Sequence, residues 1–309
     1  MKSDVQTFYK VAIIIGILAI DAIWIALTDF HLEGQGVLRV FAVTAFFGIV
    51  AVIYRVWRPM QAFELVCAET AILLSFTAAA AILSYLVTSL DRPLIDAQLV
   101  TLDAALGFDW SAYVGYVSER PLLGLLCSVI YLTTLAQVAL AVIVLGLAGR
   151  TERTQQFVTA VMLGALACII VSGILPSAGA LATIRPVDSF WGSHHPVVDL
   201  DYKQTFFDLR TGGERLVSLD SMKGLIAFPS YHGTLSTLLI LAFFRVGWWF
   251  GPILTLNVLI LLATPVEGGH HLVDVIGGVA VAGGSWYIAG WLYRPRAIQR
   301  SKTLIELPV

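Results

Sequence analysis

Eight apolar stretches, each near the length needed to cross a lipid bilayer, take up most of this chain: roughly residues 9–28, 37–57, 62–89, 121–148, 157–177, 230–247, 250–265 and 271–293. A spanning helix needs about 20 apolar residues, with a lower limit near 17. The pattern therefore predicts an all-α fold, a polytopic transmembrane helix bundle of about eight spans. The stretch 250–265 is marginal, with Pro252 and Pro265 marking its ends. The first stretch follows Lys10 and has no small-residue cleavage site after it, so it is read as a span and not a removed signal. Of 309 residues only 13% are charged, against a usual share of about 25%. The net charge of −2 offers no nucleic-acid surface. Cys67, Cys127 and Cys168 lie in apolar runs without a CxxC pattern and read as buried thiols, neither disulfides nor metal ligands.

Lysine and arginine set the expected orientation. With the N-terminus inside, the short inner segments hold Arg55, Arg58, Arg150, Arg153 and Arg245, and the tail 294–309 holds Arg294, Arg296, Arg300 and Lys302. Short basic loops stay cytoplasmic. Both termini are then cytoplasmic, and the long loops 90–120 and 178–229 face outward. The expected location is a bacterial inner membrane with any site on the periplasmic side. In the first long loop, Leu94, Ile95, Leu99, Leu102 and Leu106 recur at helical spacing, with Asp96, Gln98 and Asp103 elsewhere. That reads as an amphipathic collar on the membrane surface, either structural or a gate for lipid entry. Trp110, Tyr113 and Tyr116 suit the headgroup belt.

His270 and Asp274 stand four residues apart at the start of the last stretch, which puts both on one helix face. A carboxylate so placed orients an imidazole and stabilises its cation, as a nucleophile or base requires. His232 opens another stretch within PSYHG, and all three residues fall on the outer side. Pro229 is expected in the first turn of that helix, with Ser230 and the free N–H groups pointing outward. Gly268 and Gly269 let the backbone approach closely at the other helix start. Two converging helix N-termini without a metal motif form an anion site, and phosphate is the obvious anion. The reading makes His270 the nucleophile at phosphorus and His232 the proton donor to the leaving oxygen. No metal and no cofactor are expected.

These residues resemble the phosphatidic-acid-phosphatase-like superfamily, whose motifs are K-x6-R-P, P-S-G-H and S-R-x5-H-x3-D. Pro229, Ser230, Tyr231 and His232 stand at the second motif, and His270 and Asp274 at the end of the third. The segments FPSYH, GGHHLVD and LGFDW look most like the branch containing the fungal inositol phosphorylceramide synthases and their bacterial relatives. The resemblance covers roughly residues 62–293, a six-helix core, and leaves 1–61 as a two-span addition. It implies a lipid phosphatase or phosphotransferase working through a phosphohistidine, with a phospholipid, sphingolipid or polyprenyl phosphate as substrate. The chain departs from the motifs where Ala263-Thr264 replaces Ser-Arg and Ala178 replaces the lysine before Arg185-Pro186. Ser230, Tyr231, Arg185 and Lys223 are the expected phosphate ligands, with Arg210 and Arg215 as further cations of the same loop.

Other groups carry plainer readings. His271 is turned about 100° from His270 and is expected to pack at the interface. His194 and His195, with Asp199 and Asp201, read as a solvated loop before a divalent-ion site. Asp21 and Glu69 read as a pair between helices, or as coupling groups if the chain is a transporter or scaffold that retains the fold without catalysis.

Overall fold

The computed structural model describes residues 2–184, 195–198, 200–213 and 215–293. The tail 294–309 and the loop positions Arg185, His194 and Asp199 lie outside the described residues. The chain runs through α1 (Lys2–Leu27), α2 (Gly34–Val56), α3 (Gln61–Thr88), α4 (Asp96–Ala105), α5 (Trp110–Ser118), α6 (Pro121–Leu147), α7 (Thr151–Ile174) and α8 (Ala180–Thr183). It continues through α9 (Asp201–Thr211), α10 (Tyr231–Phe243), α11 (Phe250–Glu267) and α12 (Leu272–Tyr293). Two-residue strands β1 (His31–Leu32) and β2 (Leu216–Val217) pair in parallel.

Among the described residues, seven helices are long and apolar enough to cross a membrane, one of them Gly247–Glu267. Of the eight expected spans, the sixth, 230–247, is the one that falls short. Its helix α10 has 13 residues, about 20 Å against a hydrocarbon core of about 30 Å. Arg153 ends it: Nε donates to the Ala242 carbonyl at 2.9 Å, and Nη2 to the Leu241 and Phe244 carbonyls at 2.7 and 2.8 Å. Arg245 then turns the chain with a positive φ of 61°. The stretch taken as marginal instead continues through Pro265 to Glu267.

One end of the bundle gathers the connections 28–33, 89–120 and 268–271 and the described parts of the long loop, 175–184, 195–198, 200–213 and 215–230. Asp96 accepts from the Ser177 hydroxyl and the Ala178 and Gly179 N–H groups at 2.8, 3.1 and 3.0 Å. Arg215 pairs with Asp29 beside the β1–β2 pair, and Arg39 with Asp220 at 2.8 Å. The N-terminal hairpin α1–α2 thus braces the loop that leads to α10.

The collar helix α4 departs from an ordinary amphipathic helix in where its acids lie. Its buried face is Asp96, Leu99 and Asp103, whereas Leu102 and Leu106 are exposed. The carboxylates turn inward because backbone N–H groups of the core await them. The aromatic belt is likewise mostly consumed. The indole of buried Trp110 donates to the Pro265 carbonyl at 2.9 Å and the Tyr113 hydroxyl to the Leu262 carbonyl at 2.8 Å. Only Tyr116 stays exposed, with Arg120 3.7 Å over its ring.

The core between α1 and α3 corrects one further expectation. Lys10, Ile14, Ile17 and Asp21 share the buried face of α1. Lys10 forms a buried ion pair with Glu69. Glu69 therefore does not pair with Asp21, whose buried carboxylate meets no hydrogen-bond donor among the described residues.

Candidate active site

The starts of α10 and α12 are locked together by backbone contacts that need glycine. Ser230 N–H donates to the Asp274 carbonyl at 2.9 Å, and the Thr234 hydroxyl to the Gly278 carbonyl at 3.1 Å. A Cβ on Gly278 would stand 2.3 Å from the Ser230 carbonyl oxygen, so no other residue fits that crossing. Ser230 is the N-cap of α10, its buried Oγ accepting from Gly233 N–H at 3.2 Å. Pro229 accordingly precedes the cap and does not lie in the first turn.

His270 sits in the turn 268–271, where Gly269 has φ of 64°. Its Nδ1 is 3.3 Å from Asp274 Oδ2 and its Nε2 is 3.3 Å from Ser230 Oγ. Burial pushes His270 down to about 4; the nearby Ala227 carbonyl opposes that, and the charge of His271 adds to it. At neutral pH the ring is thus neutral, with Nδ1–H donating to the carboxylate and a lone pair on Nε2. That lone pair faces Ser230 and the first turn of α10.

His232 comes from that first turn. Its Nδ1 lies 3.0 Å from the Tyr131 hydroxyl of α6, and the two rings stack with centroids 4.2 Å apart. Gly268 separates the two histidine units. A Cβ there would stand 2.6 Å from His270 Cδ2 and 2.7 Å from the Tyr131 hydroxyl. The structure thus brings His270, Asp274, Ser230 and His232 together, with Tyr131 beside them.

Of the two helix N-termini expected to hold an anion, one is already occupied. His271 N–H donates to Asp274 Oδ2 at 2.9 Å, and Leu272 and Val273 N–H donate to Asp103 at 3.2 and 3.0 Å. The start of α12 is capped by carboxylates and closed to phosphate. At α10, the first-turn N–H groups of Tyr231 and His232 are donors that the helix itself cannot satisfy.

The expected phosphate ligands divide. Ser230 is in place. The Tyr231 side chain turns away and packs against the apolar core, so only its backbone N–H faces the site. Lys223 is part-exposed and pairs with Asp201 at 3.6 Å. Arg210 is buried against Asp91 at 3.1 Å and Arg215 is held by Asp29. Among the described residues no lysine or arginine bonds to His232, His270 or Ser230. Arg185 lies outside them, as do His194 and Asp199 of the loop considered for a divalent ion.

Sequence reasoning missed several neighbours. Buried Glu267 accepts from the Ser128 hydroxyl at 2.9 Å and Val197 N–H at 3.1 Å, tying the segment 195–198 to the turn 268–271. His271 is fully buried within the protein. Its Nδ1 is 3.1 Å from Asp103 and its Nε2 is 3.8 Å from Asp96. Burial alone would lower its pKa, but the two collar carboxylates and Asp274 raise it. A lone tyrosine in an apolar run or a second histidine after a first gives no signal of such contacts.

The fold and this cluster define a polytopic all-α membrane protein with a paired-histidine site at one end of its bundle. The model of the PAP2 superfamily matches residues 97–288, and the chain belongs to that superfamily, whose members are usually phosphatases or phosphotransferases. No curated protein sequence and no solved structure matches significantly. The match begins within α4 and leaves out α1, α2 and α3.

Proposed function

We propose that the protein is a lipid phosphatase or phosphotransferase acting through a phosphohistidine at the outer face of the membrane. The observation that carries this reading is the placement of His270, with Nδ1 3.3 Å from Asp274 and Nε2 3.3 Å from Ser230 Oγ at the start of α10. Nε2 attacks phosphorus as the bond to the leaving oxygen breaks, and His232 supplies the proton that oxygen needs. The Ser230 hydroxyl and the Tyr231 and His232 N–H groups receive the phosphoryl oxygens. Water or an alcohol then attacks the phosphohistidine, returning its proton to His232.

The resemblance of FPSYH, GGHHLVD and LGFDW to the inositol phosphorylceramide synthase branch supports transfer to an alcohol over hydrolysis. A non-catalytic transporter would lose one of its two coupling carboxylates, since Glu69 is held by Lys10.

The test is to incubate purified protein with labelled phosphatidic acid, phosphatidylinositol and a polyprenyl phosphate, with and without alcohol acceptors, and identify products by mass. Acid-labile phosphate should appear on His270. The His270→Ala variant should fold and lose both turnover and label, whereas Asp274→Asn should be severely but less completely impaired. Wild-type turnover by His270→Ala rejects the mechanism. For sidedness, Thr211→Cys should react with an impermeant reagent added to intact cells and Thr151→Cys should not. The reverse pattern moves the chemistry to the cytoplasm.

A further inference from the structure

The least expected cluster in the molecule is the one directly behind His270. Asp96 and Asp103, seven residues apart, project from one face of α4 into the core, both nearly inaccessible. His271 lies between them, fully buried, 3.1 Å from one carboxylate and 3.8 Å from the other. A neutral imidazole in that position would turn a nitrogen lone pair toward a carboxylate. With an N–H on each nitrogen, a single cation faces both acids.

Each member of the cluster also holds backbone of the site. Asp103 caps Leu272 and Val273 at the start of α12. Asp96 holds Ser177, Ala178 and Gly179, and two residues on, Leu181 N–H donates to the Gly269 carbonyl at 3.2 Å. His271 N–H donates to Asp274 Oδ2 at 2.9 Å, the same oxygen that stands 3.3 Å from His270 Nδ1. Displacing His271 therefore displaces the carboxylate that aims the nucleophile. The groups facing His271 are Asp96 and Asp103 from α4, Asp274 from α12 and His270 from its own turn.

We infer that His271 is a positioning residue, a buried imidazolium that fastens the collar helix α4 to the catalytic turn and so holds the His270–Asp274 pair in its reactive geometry. The inference rests on the reading of His270 as nucleophile. It predicts a site that loses its alignment, not its nucleophile, when the clamp is discharged. Loss of the His271 proton at high pH leaves two buried carboxylates facing each other without a counter-charge, and the direction of its shift agrees with a proton held tightly.

Two measurements on the full-length protein in nanodiscs test it. In ¹⁵N-histidine spectra, with His271→Gln used for assignment, both His271 ring nitrogens should carry protons up to about pH 8. A non-protonated ring nitrogen at neutral pH overturns the inference whatever the activity. With phosphatidic acid as probe, His271→Gln should lose kcat by roughly 100-fold, as a small misplacement of reacting groups costs. Its KM should stay within about twofold, and the fall of kcat on the alkaline side should vanish. Should that variant fail to fold, Asp96→Asn removes one charge and keeps an acceptor for Ser177; it should move the alkaline limb to lower pH. An unchanged kcat and limb in whichever variant is assayed overturns the clamp. An active His270→Ala protein would instead reject the phosphohistidine reading, leaving the spectroscopic result to decide the charge of His271.

Discussion

The Tyr131 hydroxyl stands 3.0 Å from Nδ1 of His232, on a ring that stacks against the imidazole at an interplanar angle of 20°. Asp274 stands in the same relation to Nδ1 of His270. The partners differ in what they can do. A carboxylate only accepts, so it favours a ring with a proton on Nδ1. A phenol both donates and accepts, so it follows His232 as the ring gains and loses a proton. The pairing suits a fixed nucleophile on one side and a proton carrier on the other.

Tyr131→Phe keeps the stack and removes the hydroxyl. One lost hydrogen bond of about 1–1.5 kcal/mol should lower kcat on a phospholipid by roughly tenfold. An aryl phosphate, whose leaving group needs little protonation, should be affected much less. His232→Ala should follow the same ordering with a larger lipid loss, about 10²- to 10⁴-fold. Equal losses on both substrates, measured as kcat, would show that the pair only binds phosphate or holds the fold.

The depressed pKa of His270 fixes the sign of a pH effect. In the unfolded chain this histidine takes a proton near its ordinary value, whereas in the folded protein burial defers protonation to about 4. Its contribution to stability is therefore present above about pH 6.5 and lost as pH falls through that window, by roughly 3 kcal/mol in all. Thermal unfolding across pH 7 to 4 should show a steeper acid loss in the wild type than in His270→Gln. Parallel curves would mean that His270 is already charged in the fold. Activity should keep a neutral nucleophile down to about pH 4.

Gly268 is required by space alone. An added methyl would press on the His270 ring at 2.6 Å and the Tyr131 hydroxyl at 2.7 Å, spreading the two histidine units. Gly268→Ala should cost about 1–3 kcal/mol of stability. It should reduce phosphoenzyme formation far more than that loss of folded protein explains. Full phosphoenzyme formation in folded variant protein would show that the two units need not be this close.

Much of this was legible in the sequence, and the limits have physical causes. The pair His270 and Asp274 was legible because helical spacing alone puts them on one face. His232 was legible because a polar residue at the mouth of an apolar stretch needs a reason. The length of α10 was not, since Arg153, from another helix, decides where it stops. The inward face of α4 was not either. Leucine spacing identified the helix, but which face is buried depends on N–H groups of Ala178, Gly179, Leu272 and Val273, far along the chain. Lys10 illustrates the same point. A lysine near the start of an apolar stretch gives no sign of a buried partner, and only the position of Glu69 on a packed neighbour makes it one.

That last pair gives a prediction about the segment outside the superfamily match. Lys10 and Glu69 have side chains 1% and 2% exposed and join α1 to α3. Removing one partner strands the other charge in the bundle, so Lys10→Met and Glu69→Leu should each destabilise by about 3–5 kcal/mol. Replacing both with apolar residues removes the stranded charge along with the attraction, and the double variant should recover most of the wild-type stability. The measurement is the unfolding midpoint of the four proteins in one detergent. Additive losses in the double variant would show that the two side chains act independently. A recovered double variant with normal turnover would show that the pair fastens the N-terminal hairpin to the core, and a recovered but inactive one would give the ion pair a part in the reaction.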